Sequence, residues 1–223
     1  MNIATMTGPT PTALPETVSD LLERLKDIPP SRIFLDPRPG KATEQDIIDA
    51  VDRDKRLCEL VDGVLVEKPM SFYESRLAIM LAYFLEGFLE EHDLGIVLGA
   101  DAMVRMQVGR VRLPDVSFFS WDQFANRLLP RGQILGRTPD FAVEVLSPSN
   151  TVGEMEQKRR EYFAGRARLV WLVYPETRRV RVYTAVEQFE EVGEDQTLTG
   201  GAVLPGFTLS VRRWFERAGR REE

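Results

Sequence analysis

The sequence is short of thiols and imidazoles: one cysteine, Cys58, and one histidine, His92, in 223 residues. A lone cysteine excludes an intrachain disulfide and fits a reducing compartment. One Cys and one His disfavour a zinc site. They also leave a thiol nucleophile with a single candidate base, so Cys58 is read as a small buried residue. Ser147 and Ser149 match no nucleophile elbow and read instead as satisfying the first amides of the following helix. No uninterrupted apolar run is long enough to span a bilayer: the longest, around Leu77–Leu89, is broken by Glu86. The amino terminus has neither the basic start nor the apolar stretch of a secretory signal. The expectation is a cytoplasmic protein with no membrane contact.

The apolar and charged fractions, 43% and 29%, are those of a soluble globular chain. The net charge of −6 is unevenly spread. Arg105 to Arg181 holds 14 Lys/Arg against 8 Asp/Glu, so the remainder is strongly acidic. An excess of positive charge around the middle of the chain permits a phosphate-rich ligand without demanding one.

Residues 1–42 read as an amino-terminal arm, partly flexible, with a short amphipathic stretch from Val18 to Ile28. Residues 43–223 read as one domain. Within it, Asp62-Gly63 between LCELV and VLVEK is a two-residue hairpin signal. Apolar residues from Leu77 to Leu89 recur at helical spacing, and helices are also expected after Thr43, after Thr151 and over VRRWFERA. Strands are expected at Ile96–Leu98, Ala102–Gln107, Arg110–Phe119, Phe141–Leu146, Leu169–Tyr174, Arg179–Thr184 and VLPGFTL. A short surface helix is expected over Asp122–Leu129. The fold class is α/β (α+β mixed), a mixed central β-sheet flanked by helices.

Chemistry concentrates in an acid–acid–lysine series. Asp115 follows Pro114 beside Val116, Phe118 and Phe119. Glu144 sits inside the apolar run FAVEVL, where an ionised carboxylate needs a cation or an arginine, with Arg112 and Arg137 as candidate partners. Lys158 lies two turns into the next helix and can reach back over the strand ends. Two carboxylates with a following lysine can hold Mg²⁺ and stabilise charge on an attacked phosphate. Glu59, in the alternating LCELV, is a further candidate acid.

ELVDGVLVEKP, the helix after it, RLPDVSFFS, AVEVLSPSN, the spacing of Lys158 to Tyr162, WLVYP and VLPGFTL occur in an order that resembles the Uma-type putative restriction endonuclease family, a branch of the PD-(D/E)XK nuclease superfamily. The resemblance covers about Arg56 to Phe215. It implies a restriction-endonuclease-like core, Mg²⁺-dependent hydrolysis of DNA (with Mn²⁺ as a substitute) and a homodimer. By position it implies Asp115 and Glu144 as metal carboxylates, Lys158 as the family's displaced lysine and Glu59 as the acid of its ELVDG element; a nuclease site built on them would take the Val145 carbonyl as a further metal ligand. Ser75, Tyr174 and Arg166 depart from its pattern. The leading expectation is a metal-dependent endonuclease; the alternative is a catalytically inactive nuclease-like module that binds nucleic acid or protein.

Overall fold

The computed structural model describes residues 15–219. The chain opens with α1 (Val18–Arg24), capped by Thr17 and Asp20, and α2 (Glu44–Asp54), capped by Thr43 and Asp46. A hairpin follows, β1 (Cys58–Val61) and β2 (Val64–Glu67). Asp62 and Gly63 at its tip both take positive φ, 49° and 79°, as a primed turn requires. Next come α3 (Phe72–Leu89), β3 (Gly95–Leu98), β4 (Met103–Gln107), β5 (Arg110–Arg112) and β6 (Val116–Ser120). The expected helix over 122–129 is instead two 3₁₀ turns, Trp121–Gln123 and Ala125–Arg127.

The remaining elements are β7 (Ile134–Leu135), β8 (Phe141–Val145), α4 (Val152–Ala164), β9 (Leu169–Tyr174), β10 (Arg179–Ala185), β11 (Gln188–Val192), β12 (Thr197–Gly200), β13 (Leu204–Ser210) and α5 (Val211–Ala218). The acidic segment after β10, for which no strand was expected, contributes β11 and leads into β12: Glu190 and Glu191 are strand residues on the exposed outer strand.

Six strands form the central sheet in the order β11-β10-β9-β8-β6-β3. Only β8 and β9 run parallel in it, joined by α4 as the crossover; the other pairs are antiparallel. A second sheet, β2-β1-β5-β4-β7, lies beside it. The single strand expected from Arg110 to Phe119 divides at Leu113-Pro114, ending in one sheet and resuming in the other. Proline removes a ladder donor where the chain crosses over.

The central sheet is buried on both faces. On one, Val143, Val145, Trp171 and Val173 pack against Leu77, Leu81 and Leu85 of α3 and Trp214 and Phe215 of α5. On the other, Ala142, Val170 and Leu172 pack against Met155 and Tyr162 of α4. Strand alternation therefore points Glu144 toward α4 while its neighbours Val143 and Val145 face α3. The described part of the arm, residues 15–42, packs on the hairpin: Leu21, Leu25 and Ile28 cluster with Val61, Val64 and Val66. Residues 1–14 lie outside the described residues.

Arg166 closes α4 at φ +77°, a left-handed position that glycine fills at less cost. Gly165, one place earlier, is held by space: a Cβ there would come within 2.3 Å of Thr138 Oγ1.

Candidate active site

Asp115, Glu144, Lys158 and Glu59 converge from the turn before β6 and from β8, α4 and β1, in a region more than nine-tenths buried. The Asp115 amide donates to the Val143 carbonyl at 3.0 Å, and its Oδ2 accepts the Val145 amide at 2.6 Å. One aspartate thus stitches the approach to β6 onto β8, the strand that carries Glu144. Lys158, on the second turn of α4, reaches back as its position allows. Its Nζ lies 3.1 Å from Glu144 Oε2 and 2.9 Å from Glu59 Oε1.

Glu59 also holds Arg112 Nη1 at 2.8 Å and accepts the Leu113 amide at 3.1 Å. Glu144 Oε1 accepts the Tyr162 hydroxyl at 2.5 Å. Tyr162 stands one turn after Lys158, on the same helix face. Arg112 is the partner of Glu59 and not of Glu144, because the antiparallel pairing of Leu60 with Val111 sets β5 beside β1. The ionic chain continues outward: Arg112 grips Glu161 through Nε and Nη2 at 2.7 and 3.0 Å, and Arg110 bridges Glu161 and Asp62. Among these alternating charges each inner group touches two of opposite sign.

The acids at the centre differ electrostatically. Burial drives the Glu144 carboxyl up to about 7, aided by the nearby Asp115 and Glu59 charges and opposed by Lys158. Burial acts on Glu59 in the same direction, yet Lys158 and Arg112 outweigh it and hold that carboxyl down at about 2. Burial works against the Lys158 ammonium, but Glu144 and Glu59 more than offset it and raise it above the ordinary lysine value. The Tyr162 hydroxyl is pushed well above the ordinary tyrosine value by burial and by the carboxylate it serves.

Lys68 is the participant that sequence reasoning did not single out. Its buried ammonium lies 2.9 Å from Asp115 Oδ1, 2.5 Å from the Leu113 carbonyl and 3.1 Å from the Ala100 carbonyl. A solitary lysine just past a strand carries no signal of this. A second missed contact fixes α4: Arg32 donates to both oxygens of Glu154 at 2.9 and 2.7 Å and to the Ser149 carbonyl at 3.1 Å. Glu154 in turn closes the capping box with Thr151 that starts the helix.

The donor chemistry suits a hard cation. Asp115 and Glu144 present carboxylate oxygens from neighbouring strands, and Mg²⁺ is ordinarily held by one or two carboxylates with water and substrate phosphate completing its shell. Among the described residues no group of three or more His, Cys, Asp or Glu side chains is arranged to hold a metal. Any cation held by these two acids would need water or substrate for most of its shell. The structure connects Val145 to Asp115 through its amide.

Two clefts flank the Asp115–Lys68 pair. One, of about 90 Å³, is lined by Asp115, Ala100 and α3 residues including Ser75 and Ile79; the other, of about 450 Å³, is lined by Lys68, Met70, Arg32 and Ser147–Ser149.

A mixed sheet carrying paired acids at its strand ends and a lysine on the crossover helix defines a restriction-endonuclease-like class of protein. The chain belongs to the Uma2 family, described as "Putative restriction endonuclease", which matches residues 45–212. In the solved structures it is similar to a protein from Anabaena variabilis titled a putative nuclease of DUF820, with a TM-score of 0.65 and 17% identity over 74% of this chain and 92% of that one. No curated protein matches the chain. Among the described residues no helix is long and apolar enough to cross a membrane.

Proposed function

We propose that this protein is a Mg²⁺-dependent endonuclease that hydrolyses DNA phosphodiester bonds, with Mn²⁺ able to substitute. The observation that carries the reading is the placement of Lys158. Fourteen residues after Glu144 in sequence, it returns to that acid and is held between it and Glu59. A solvated surface lysine has no reason to be buried between two carboxylates.

Asp115 and Glu144 would hold the ion, with the Val145 carbonyl as a further oxygen ligand. Bound there, Mg²⁺ supplies Lewis acidity and a more acidic water. Lys158 directs its ammonium at the phosphate oxygens, where negative charge builds up as the bond breaks. Glu59 keeps that ammonium protonated and fixes its direction, and Arg112 keeps Glu59 ionised. Tyr162 donates to Glu144 Oε1 and leaves its second oxygen to the shared lysine and the ligand. A cation held here would compete with the proton on Glu144, so metal binding would strengthen as pH rises through about 7.

A second reading has its own support. Both oxygens of Asp115, Glu144 and Glu59 already meet protein donors, with Lys68 seated directly against Asp115. A site closed in this way also suits an inactive nuclease-like module that binds nucleic acid or protein.

Incubation of the purified protein and Glu144→Gln with supercoiled and single-stranded DNA, in Mg²⁺, Mn²⁺ or EDTA, separates the two. The expected result is metal-dependent cutting that falls by about 100-fold or more in the variant. Cutting that survives in Glu144→Gln sinks the site assignment. A folded wild-type protein that neither cuts nor gains melting temperature from either metal establishes the module.

A further inference from the structure

Beyond the acids, on the α4 side of the central sheet, lies a cleft of about 260 Å³ that the cleavage chemistry does not use. Its wall includes Leu146, Leu172, Tyr174, Tyr183 and two arginines, Arg159 and Arg181; Glu156 is the one acid lining it. The position is set by strand geometry. Leu146 is two residues past Glu144 on the same strand face, roughly 6–7 Å along β8. Leu172 is the register partner of Glu144 in the parallel β8–β9 pair. The cleft therefore begins one side chain beyond the proposed metal ligand.

Its chemistry is that of an anion bound beside a flat apolar group. Arg159 is only 7% exposed, and its Nε is buried with no hydrogen-bond partner. Its one carboxylate contact, Nη2 to Glu187, is long at 3.5 Å. Leaving a buried guanidinium donor unsatisfied is costly, so its retention calls for an acceptor. The guanidinium stacks over Tyr183 at 4.6 Å, and that of Arg181 stacks over Tyr174 at 5.0 Å, its Nε meeting Glu191 at 3.2 Å. Planar guanidinium groups match phosphate, and half-exposed aromatic faces serve as platforms for bases.

We propose that this cleft seats one nucleotide of a nucleic-acid strand next to the scissile phosphate, with Arg159 and Arg181 on its phosphate and Tyr174 against its base. The term scissile rests on the nuclease reading; the binding itself does not need cleavage. Bare phosphate would use the arginines alone and leave the exposed part of Tyr174 uncovered.

The test is fluorescence anisotropy of a short labelled single-stranded oligodeoxynucleotide with the full chain in EDTA, comparing wild type with Tyr174→Ala, Arg181→Gln and Arg159→Gln. Each substitution is expected to weaken binding by roughly tenfold. Arg181→Gln should also lower the slope of log affinity against log salt by about one. Inorganic phosphate should compete poorly, and a deoxynucleoside monophosphate measurably better. Arg159→Gln counts only if its melting temperature stays near wild type; the two rim variants carry the test otherwise. Wild-type affinity in both rim variants, or no binding by wild type, overturns the proposal. Binding lost in the rim variants of a protein that never cuts DNA would leave the nucleotide cleft standing and remove the nuclease reading.

Discussion

Glu59 and Glu144 are the same residue type, equally buried, sharing one lysine, and they titrate in opposite directions. Glu59 belongs to the five-stranded sheet, where β5 supplies Arg112 and the Leu113 amide. Glu144 belongs to the six-stranded sheet, where its remaining donor is a neutral phenol and its neighbour Asp115 is another acid. Burial by itself pushes any carboxyl up; the number of cations within reach decides whether it stays there. One sheet thus furnishes a permanently ionised anchor and the other an acid still short of positive charge. That shortage is what makes Glu144 the better candidate for a metal ligand.

The strongest way to break the comparison is to remove the shared cation. Lys158→Met leaves both acids buried without it and should cost about 3–5 kcal/mol in urea denaturation. A loss below about 1 kcal/mol would mean that the two acids do not depend on Lys158.

Glu59→Gln should cost less, about 2 kcal/mol, because Arg112 retains Glu161. Its pH signature is the sharper readout. Glu59 sits at about 2 in the folded chain against an ordinary 4.5, so its stabilisation is complete above 4.5 and lost as pH falls toward 2. Glu144 sits at about 7, so on its account stability declines as pH rises from 4.5 to 7. Stability measured across pH in Glu59→Gln should lose the acid-side rise. It should also show a shallower neutral-side decline, since Lys158 then serves Glu144 alone. An unchanged profile would dissolve the distinction between the acids.

Tyr162→Phe should be the mildest, about 1 kcal/mol, with Glu144 moved further upward for want of a donor. Carboxyl titration by NMR reads this directly; a downward shift would contradict the assigned hydrogen bond. Cys58 offers a silent reporter beside Glu59. Burial, with the Glu59 charge behind it, pushes its thiol to about 12, so disulfide reagents should modify it only on unfolding.

Much of this was legible in the sequence where local rules decide. Asp62-Gly63 fixed a turn, the spacing from Leu77 to Leu89 a helix, and Glu144 among valines an acid that needed company. The four residues singled out, Asp115, Glu144, Lys158 and Glu59, do come together. What stayed hidden depends on which strands meet. Arg112 was a candidate for Glu144, but its true partners follow from the β1–β5 register, which no local pattern encodes. Lys68 reaches Asp115 only because the two sheets abut at Pro114. The outer strand β11 was hidden by its charges, which an edge strand tolerates and uses against unwanted pairing.

The Arg32–Glu154 clamp has a consequence for the order in which the protein is made. Its two halves are 122 residues apart, and Glu154 starts the helix that carries Lys158. On the ribosome, Arg32 emerges long before the residue it must grip, and Glu59 and Asp115 emerge before either Glu144 or Lys158. The site is completed only by the later part of the chain, so a prematurely ended fragment would carry the first acids without the group that organises them.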